Sequence, residues 1–182
     1  MTTDRGLAPV VIDASIGVAL ARDEPASQES AARISELHSE GRRLFVPSVF
    51  WLEVINVLGR RYRAEPPQLL EALVELEAIG LETVELDRPM LLLALDAVAR
   101  HGLTAYDAAY LALADAADAR LLTGDAELAT AAGQRALPVS RRRRIREAKG
   151  RYRPAPADWA SWPGAAAYLQ ELRTRLLPAP KG

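Results

Sequence analysis

The sequence predicts an α/β domain: a three-layer α/β/α sandwich around a mostly parallel sheet of four to five strands, followed by a basic C-terminal extension. Over residues 1–140, short apolar or β-branched runs alternate with longer segments of helical spacing, which is typical of a parallel sheet covered on both faces. The 182 residues are enough for one sizeable core but few for two domains. A hydrophobic fraction of 49% and a charged fraction of 26% argue against a wholly disordered or fibrous chain.

Three strands are predicted in the first half of the chain. They are residues 9–13, 44–46 and 81–86, and helices are expected at 16–21, 48–62 and 68–79. Ser48 suits the N-cap of the second helix, because a serine hydroxyl can accept a hydrogen bond from a backbone N–H of the first turn. Pro66 and Pro67 are typical of a helix start, and Gly80 is typical of a helix end.

The second half is predicted to complete the alternation. A helix at 88–100 ends at His101 and Gly102, and Thr104 is expected to cap an alanine-rich helix that runs to about residue 117. Residues 120–123 form the fourth predicted strand, Asp125 opens the next helix, and residues 137–139 are a fifth strand candidate at the sheet edge.

Charge divides the chain at about residue 140. Residues 1–140 hold 12 basic and 21 acidic side chains, whereas residues 141–182 hold 11 basic and 3 acidic ones. We therefore interpret 1–140 as the domain and 141–182 as the extension. In one interpretation the extension faces a polyanion through an arginine run, Arg141, Arg142, Arg143 and Arg144. In another, residues 159–176 pack on the domain or on a partner. A third is that an arginine of the extension reaches acidic residues of the domain and restrains what they do.

Several functional classes are excluded by what the sequence lacks. There is no cysteine, so disulfides, thiol nucleophiles and Cys-ligated metal sites are impossible, and two histidines, His38 and His101, are too few for a histidine-rich metal site. The first residues carry no signal-peptide pattern, and no apolar run approaches the roughly 20 residues that a membrane span needs. We expect a cytoplasmic protein without a membrane partner.

Four acidic residues are predicted to converge beyond the carboxyl edge of the sheet, where open parallel sheets bind ligands. Asp13 ends the first strand and Asp125 follows the fourth, while Asp107 lies in the first turn of the helix before that strand. Glu53 lies early in the helix after the second strand, among Phe50 to Ile55, which are otherwise apolar. An acid in that position is unusual without a role.

Each acid also has an ordinary structural interpretation. These are Asp125 as a helix N-cap, Asp107 as the third residue of a capping box with Thr104, Asp13 as a cap of the helix after it, and Glu53 as a surface partner of Arg60 or Arg61. A metal site explains all four acids by one cause, because converging carboxylates repel unless a cation lies among them.

Mg²⁺ or Mn²⁺ is the cation that this donor set indicates, since hard divalent ions prefer oxygen ligands. With neither a cysteine nor a histidine pair to act as a nucleophile and base, the predicted chemistry is attack of metal-activated water on a phosphodiester. Hydrolysis of RNA or DNA is the reaction that a carboxylate-held divalent metal of this kind fits.

Four sequence blocks carry a resemblance to a known family. VVIDASIGVAL, WLEVINVL, LTAYDAAYLALA and LLTGD follow one another between about residues 10 and 139, and the set resembles the PIN-domain ribonucleases, more closely the VapC-type toxins of bacterial toxin–antitoxin systems. The resemblance implies that Asp13, Glu53, Asp107 and Asp125 bind Mg²⁺ or Mn²⁺. It also matches Ser15 and Thr123 to small hydroxyl positions beside the metal, and Asn56 to a polar position that orients the acids; ordinary capping or surface roles remain open for these three.

The resemblance further implies partners. They are a structured RNA substrate such as transfer RNA, a second copy in a homodimer, and a small antitoxin protein through which the complex contacts promoter DNA. The extension of some forty residues beyond the last predicted strand is a departure from such toxins, which commonly stop soon after it.

Other classes fit less well. A haloacid-dehalogenase-like phosphatase needs a second aspartate at position 15, where this chain has a serine. A receiver domain needs a lysine, and residues 1–140 contain none. A nucleotide-binding fold is disfavoured because no glycine-rich nucleotide motif is present. The remaining alternatives are a PIN-domain nuclease that processes RNA without an antitoxin, and a catalytically silent PIN-like module that binds RNA or a protein partner.

Overall fold

A computed structural model describes residues 7–22, 25–139 and 174 of the chain. The strands are β1 (Val10–Ile12), β2 (Leu44–Pro47), β3 (Glu82–Val84), β4 (Arg120–Leu122) and β5 (Ala136–Leu137). The helices are α1 (Ala14–Leu20), α2 (Pro25–Ser39), α3 (Val49–Asn56), α4 (Pro66–Ala78), α5 (Arg88–His101), α6 (Ala105–Ala116) and α7 (Ala126–Ala132). A π-helical turn, Val57–Arg61, continues α3, and a 3₁₀ turn, Gly133–Arg135, follows α7.

The five strands form one sheet in the order β3-β2-β1-β4-β5, and every neighbouring pair is parallel. Val11 of β1 pairs with Phe45 on one side and with Leu121 on the other. The α/β prediction is therefore confirmed. The central position of β1 places its carboxyl end, and the residue that follows it, in the middle of the sheet edge.

The strand order also determines which helices cover which face. The chain moves outward from β1 through β2 to β3, then returns past β1 to β4 and β5, which reverses the direction of travel. Right-handed crossovers therefore put α1 to α4 on one face and α5 to α7 on the other. The contacts agree, since α1 packs on α2 and α3, whereas α6 packs on α5 and α7. This is the predicted three-layer sandwich, with its switch of direction between β1 and β4.

The core lies on both sides of β1. All three residues of β1 are buried, as are Phe45 of β2 and Leu121 of β4. The alanine-rich helix α6 packs directly against β1, β2 and β4, because its small side chains allow the backbones to approach closely. The element that carries Asp107 is thus fixed to the centre of the sheet.

Two segments differ from the sequence prediction. Helix α2 was not predicted; its buried side chains include only two large apolar ones, Ile34 and Leu37, beside the polar Ser30, so the apolar signal is sparse. The single helix expected over 48–62 is instead α3 followed by the π-helical turn.

The predicted cap at Ser48 was wrong, and Asp13 lies at the N-cap position of α1 without a side-chain capping hydrogen bond, whereas the caps at Thr104 and Asp125 are confirmed. Ser48 has helical backbone angles and no capping hydrogen bond, and its hydroxyl instead accepts from the N–H of Leu86 at 3.4 Å. Thr104 caps α6 and Asp125 caps α7, each by accepting a backbone N–H. Gly80 and Gly102, with φ of 79° and 67°, adopt the left-handed conformation that ends a helix.

The predictions for the extension lie outside the described residues, apart from the position of Thr174. They concern the Arg141–Arg144 run, the packing of residues 159–176 and the boundary at 140. Within the described ranges, no helix is both long enough and apolar enough to cross a membrane.

Candidate metal centre

Asp13 directly follows the central strand and is the most buried acid of the four, with 5% of its surface exposed. Its carboxylate accepts hydrogen bonds from the hydroxyls of Ser15 and of Thr123, the latter at 2.7 Å. Burial raises the pKa of Asp13, the two hydroxyls oppose that rise, and the negative charge of Asp107 adds to it. Asp13 is therefore held firmly in place, but its ionised form is disfavoured unless a positive charge approaches.

The two hydroxyl residues predicted beside the metal join β1 to β4. Ser15 accepts a hydrogen bond from the N–H of Gly124 at 2.9 Å, and Thr123 accepts one from the N–H of Asp125 at 2.9 Å. Both residues thus bind Asp13 on one side and the loop after β4 on the other. This network fixes the loop that carries Asp125 relative to Asp13.

Glu53, one turn into α3, is held by a residue that the sequence analysis did not select. The hydroxyl of Tyr110 on α6 donates a hydrogen bond to Glu53 Oε2 at 2.5 Å. The pKa of Glu53 is raised to about 7: burial is the largest cause, the charges of Asp13 and Asp107 also raise it, and the Tyr110 hydrogen bond opposes the rise. Burial and the neighbouring Glu53 charge also raise the pKa of Tyr110, so this hydroxyl keeps its proton and acts as a donor.

Asp107 lies in the first turn of α6 and forms a reciprocal pair with Thr104. The Thr104 hydroxyl donates to Asp107 Oδ2 at 2.7 Å, and the Asp107 N–H donates to Thr104 Oγ1 at 3.1 Å. Burial raises the pKa of Asp107, and the charges of Asp125 and Glu127 raise it further. Thr104 caps α6 as predicted, but the Asp107 carboxyl accepts the Thr104 hydroxyl and not the Thr104 backbone N–H, so these two residues do not form the predicted capping box. The charge of Asp125 acts on this carboxyl.

Asp125 is exposed and caps α7 by accepting the N–H of Leu128 at 2.8 Å. Its ordinary capping role is therefore correct. Glu127, two residues later in the first turn of α7, is an additional acid near Asp107 that the sequence analysis did not select.

Asn56 lies one turn after Glu53 on an exposed part of α3, and no hydrogen bond links it to the four acids within the described chain. The alternative for Glu53, an ion pair with Arg60 or Arg61, also does not occur in the described part of the chain, where Tyr110 binds it instead.

The donor set fits a hard divalent cation by its chemistry, since it consists of carboxylate and hydroxyl oxygens, and the pKa values of Asp13, Glu53 and Asp107 are each raised in part by neighbouring acids. Glu53 and Asp107 are each bound by a hydroxyl, and among the described residues no three His, Cys, Asp or Glu side chains stand together as a metal-holding group. Metal binding therefore requires the carboxylates to turn toward one another from these hydrogen-bonded positions.

Comparison with known proteins identifies the family. A profile of the PIN domain matches residues 10–134, which includes all four acids and most of the chain. The chain belongs to the PIN domain family. Such domains are generally nucleases, so membership supports a hydrolase that acts on RNA.

Two solved structures share the fold of this PIN domain. VapC20 of Mycobacterium tuberculosis, described as a toxin that cleaves the sarcin-ricin loop, superimposes with a TM-score of 0.55 at 14% identity, over 67% of this chain and 94% of that one. PAE2754 from Pyrobaculum aerophilum superimposes with a TM-score of 0.53 at 24% identity, over 72% of this chain and 90% of that one. No curated protein sequence matches the chain. The likeness establishes a VapC-type PIN fold.

Proposed function

We propose that this PIN domain is a Mg²⁺- or Mn²⁺-dependent endoribonuclease and the toxin component of a VapBC-type toxin–antitoxin system. One observation carries the proposal. Asp13, Glu53 and Asp107 come from three different parts of the fold, at the sheet edge where the strand order changes direction: the charge of Asp107 raises the pKa of Asp13, both charges raise the pKa of Glu53, and Asp125 raises the pKa of Asp107. A binding module has no need of mutually repelling, partly buried acids, because they destabilise the fold unless a cation neutralises them.

The four acids would hold the cation, which when bound would supply an activated water and neutralise charge on the phosphate. The chain's own residues orient the carboxylates. Ser15 and Thr123 bind Asp13, Tyr110 binds Glu53, and Thr104 binds Asp107. Ser15 and Thr123 hold Asp13 in place before substrate arrives, whereas Glu53 and Asp107 would turn from their hydroxyl partners when the cation binds.

The toxin assignment is supported by the VapC-type fold and by the sequence blocks that resemble these toxins. VapC20 cleaves a structured RNA loop, and we propose a structured RNA, such as transfer RNA, as the substrate class here. We also propose a homodimer, an antitoxin partner that connects the complex indirectly to DNA, and a cytoplasmic location. Arg141, Arg142, Arg143 and Arg144 are proposed to contribute phosphate contacts.

A second candidate is a catalytically silent module that binds RNA or a protein. The observation that favours it is the absence of a preassembled group of three acids among residues 7–22 and 25–139. In this case Glu53 and Asp107 would remain with their hydroxyl partners, and added metal would change nothing.

Cleavage of total cellular RNA by the purified full-length chain tests the proposal. We expect cleavage at discrete sites with Mg²⁺ or Mn²⁺, none with chelator, and none with Asp13→Asn. Asp118→Asn is the matched control: it makes the same chemical change at an exposed position whose left-handed backbone, φ 48°, asparagine tolerates. Equal activity of the two variants, or no cleavage by folded, metal-loaded protein, would exclude the nuclease function.

A further inference from the structure

We propose that an arginine–tyrosine cluster at the far end of the α1–α3 helix pair, formed by Arg22, Arg60, Arg61, Tyr62 and Arg63, binds the backbone of the RNA that enters the acidic cleft. The inference rests on the proposed function, because it assigns a substrate-binding surface to the same site. It concerns the described domain and is independent of the arginine run in the extension.

The cluster is organised around one aromatic ring. The Arg22 guanidinium lies 3.3 Å from the centroid of the Tyr62 ring, and the Arg61 guanidinium lies 5.5 Å from it. Tyr62 keeps 37% of its surface exposed. Both arginines are thus attracted to the same ring, which fixes two planar cations close together at the surface.

Three arginines of the cluster, Arg60, Arg61 and Arg63, differ from most other arginines in their ion pairing. Elsewhere in the described chain, five arginines form ion pairs with acids: Arg33, Arg42, Arg43, Arg100 and Arg135. Among the described residues, none of Arg60, Arg61 and Arg63 has such a partner, and all three are exposed. The domain has more acidic than basic side chains, so these three exposed arginines form a concentrated positive surface within it.

Contacts between α1 and α3 place the cluster relative to the acids. At the start of α1, Asp13 lies within electrostatic range of Glu53. Midway along α1, Gly17 packs closely against Phe50 and Val54 of α3. Just beyond the end of α1, Arg22 stacks on Tyr62. The two helices therefore run side by side in the same direction. With a rise of about 1.5 Å per residue, Arg22 lies roughly 12 Å along α1 from its first residue.

That distance suits a nucleic acid strand. Successive nucleotides of a helical strand advance about 3.4 Å along the axis, so a strand whose scissile bond lies at the acids would reach the cluster after roughly three to four nucleotides. The acids themselves repel phosphates, and a positive surface this close offsets that repulsion for the flanking part of the strand.

The local backbone is unusual where the cluster forms. Arg60 and Arg61 end the π-helical turn, and Arg63 has φ 55°, a conformation that residues other than glycine rarely adopt. Such irregular turns and strained residues concentrate at functional sites. Here they bring three arginines and a tyrosine to the surface within four positions.

RNA fits this chemistry better than a protein partner does. Guanidinium groups bind phosphate oxygens in a planar, two-pronged geometry, and unpaired RNA bases stack on guanidinium planes as well as on aromatic rings, so the Arg22 guanidinium held on Tyr62 offers such a plane. An acidic protein segment would satisfy the charges but would make no use of this stacked pair.

Binding is measured in full-length Asp13→Asn protein, which removes cleavage, with a fluorescent 12-nucleotide oligouridine at several salt concentrations. We expect Arg61→Ala and Arg60→Ala each to raise Kd about five- to ten-fold and to reduce the slope of log K against log salt by about 1. Arg61→Lys keeps the charge but loses the planar group, so it is expected to restore the salt slope and only part of the affinity. Arg42→Ala, which removes an arginine that is outside the cluster and already paired with Glu40, is expected to leave both quantities unchanged.

The inference fails if the Asp13→Asn protein does not bind the oligonucleotide, or if the cluster variants and Arg42→Ala behave alike while their melting curves match. This outcome is distinct from failure of the nuclease proposal. In that case the wild type would not cleave RNA, whereas the cluster variants would still weaken binding.

Discussion

The Tyr110 hydroxyl on α6 donates a hydrogen bond to the Glu53 carboxylate on α3, and so joins helices on opposite faces of the sheet. Tyr110 is fully buried, whereas Glu53 is half-buried. The contact links the acid on α3 to the helix that carries Asp107.

Tyr110→Phe removes only that hydroxyl. Because the hydrogen bond favours ionised Glu53, its loss is expected to raise the pKa of Glu53 above its value of about 7. A free energy of unfolding lower by about 1–2 kcal/mol at pH 8 is also expected, since a hydrogen bond to a charged group is lost. Carbon NMR of the glutamate carboxyls across pH, in metal-free protein, measures the first effect and urea unfolding the second. Tyr106→Phe, at a ring that is 57% exposed, is the control, and an unmoved Glu53 titration would contradict the prediction.

Metal-free protein is expected to become more stable as pH falls from about 8 to about 5. Folding raises the pKa of Glu53 from about 4.5 to about 7, so the folded state binds the proton more tightly in this window, and the stabilisation is lost as pH rises through 7. Asp13 and Asp107 shift in the same direction. Because Glu53 is only half-buried, solvent screening limits its contribution to on the order of 1–2 kcal/mol. Urea unfolding with chelator at each pH measures it. Glu53→Gln is expected to flatten the dependence, and stability that rises with pH would refute the assignment.

Mg²⁺ or Mn²⁺ is expected to raise the melting temperature of the wild type. A cation bound only by the folded state stabilises it by about 2.7 kcal/mol at a hundred times its Kd, and here it also relieves repulsion among the acids. Differential scanning fluorimetry with chelator, with either metal, and with KCl at matched ionic strength measures the effect. Asp13→Asn and Asp107→Asn are expected to lose most of the response. An equal rise with KCl, or an undiminished rise in both variants, would exclude the site.

Gly17→Ala is expected to destabilise the domain by about 1–3 kcal/mol and to lower cleavage more than that loss alone explains. A Cβ at Gly17 would lie 2.6 Å from Phe50 Cζ and 3.0 Å from Val54 Cγ2, so α1 would have to move away from α3, and with them Asp13 from Glu53. Gly59→Ala is the matched control, because its Cβ would meet only Leu69 at 3.8 Å. We expect that variant to be neutral or slightly more stable. Equal effects of the two changes in urea unfolding would contradict the close-packing argument.

The sequence predicted the parts of the site that follow from position along the chain. Asp13 and Asp125 come directly after strands, and parallel pairing alone brings the ends of such strands to one edge. Thr104 and Asp107 form a local capping pattern that involves only neighbouring residues. Contacts of this kind are encoded within a few residues, so single-sequence reasoning finds them.

The parts that were missed depend on distant partners. Tyr110 lies within the alanine-rich run of α6 and was not selected, because its hydroxyl meets Glu53 only after α3 and α6 pack on the sheet. Ser48 has the composition of a cap, but its hydroxyl is bound by the backbone of Leu86, 38 residues away. The π-helical turn likewise leaves no pattern distinct from that of an α-helix. Tertiary packing outweighs local preference in each case.

The hydrogen bond from Thr123 to Asp13 spans 110 residues and depends on β4, the immediate neighbour of β1. During translation, Asp13 and Glu53 leave the ribosome long before β4 is made. A nascent chain shorter than about 125 residues lacks both Asp125 and the threonine that positions Asp13, and its central strand has only one neighbour. The cleft is therefore completed late in synthesis, so an interrupted translation product carries the first acids of the site without the means to assemble it.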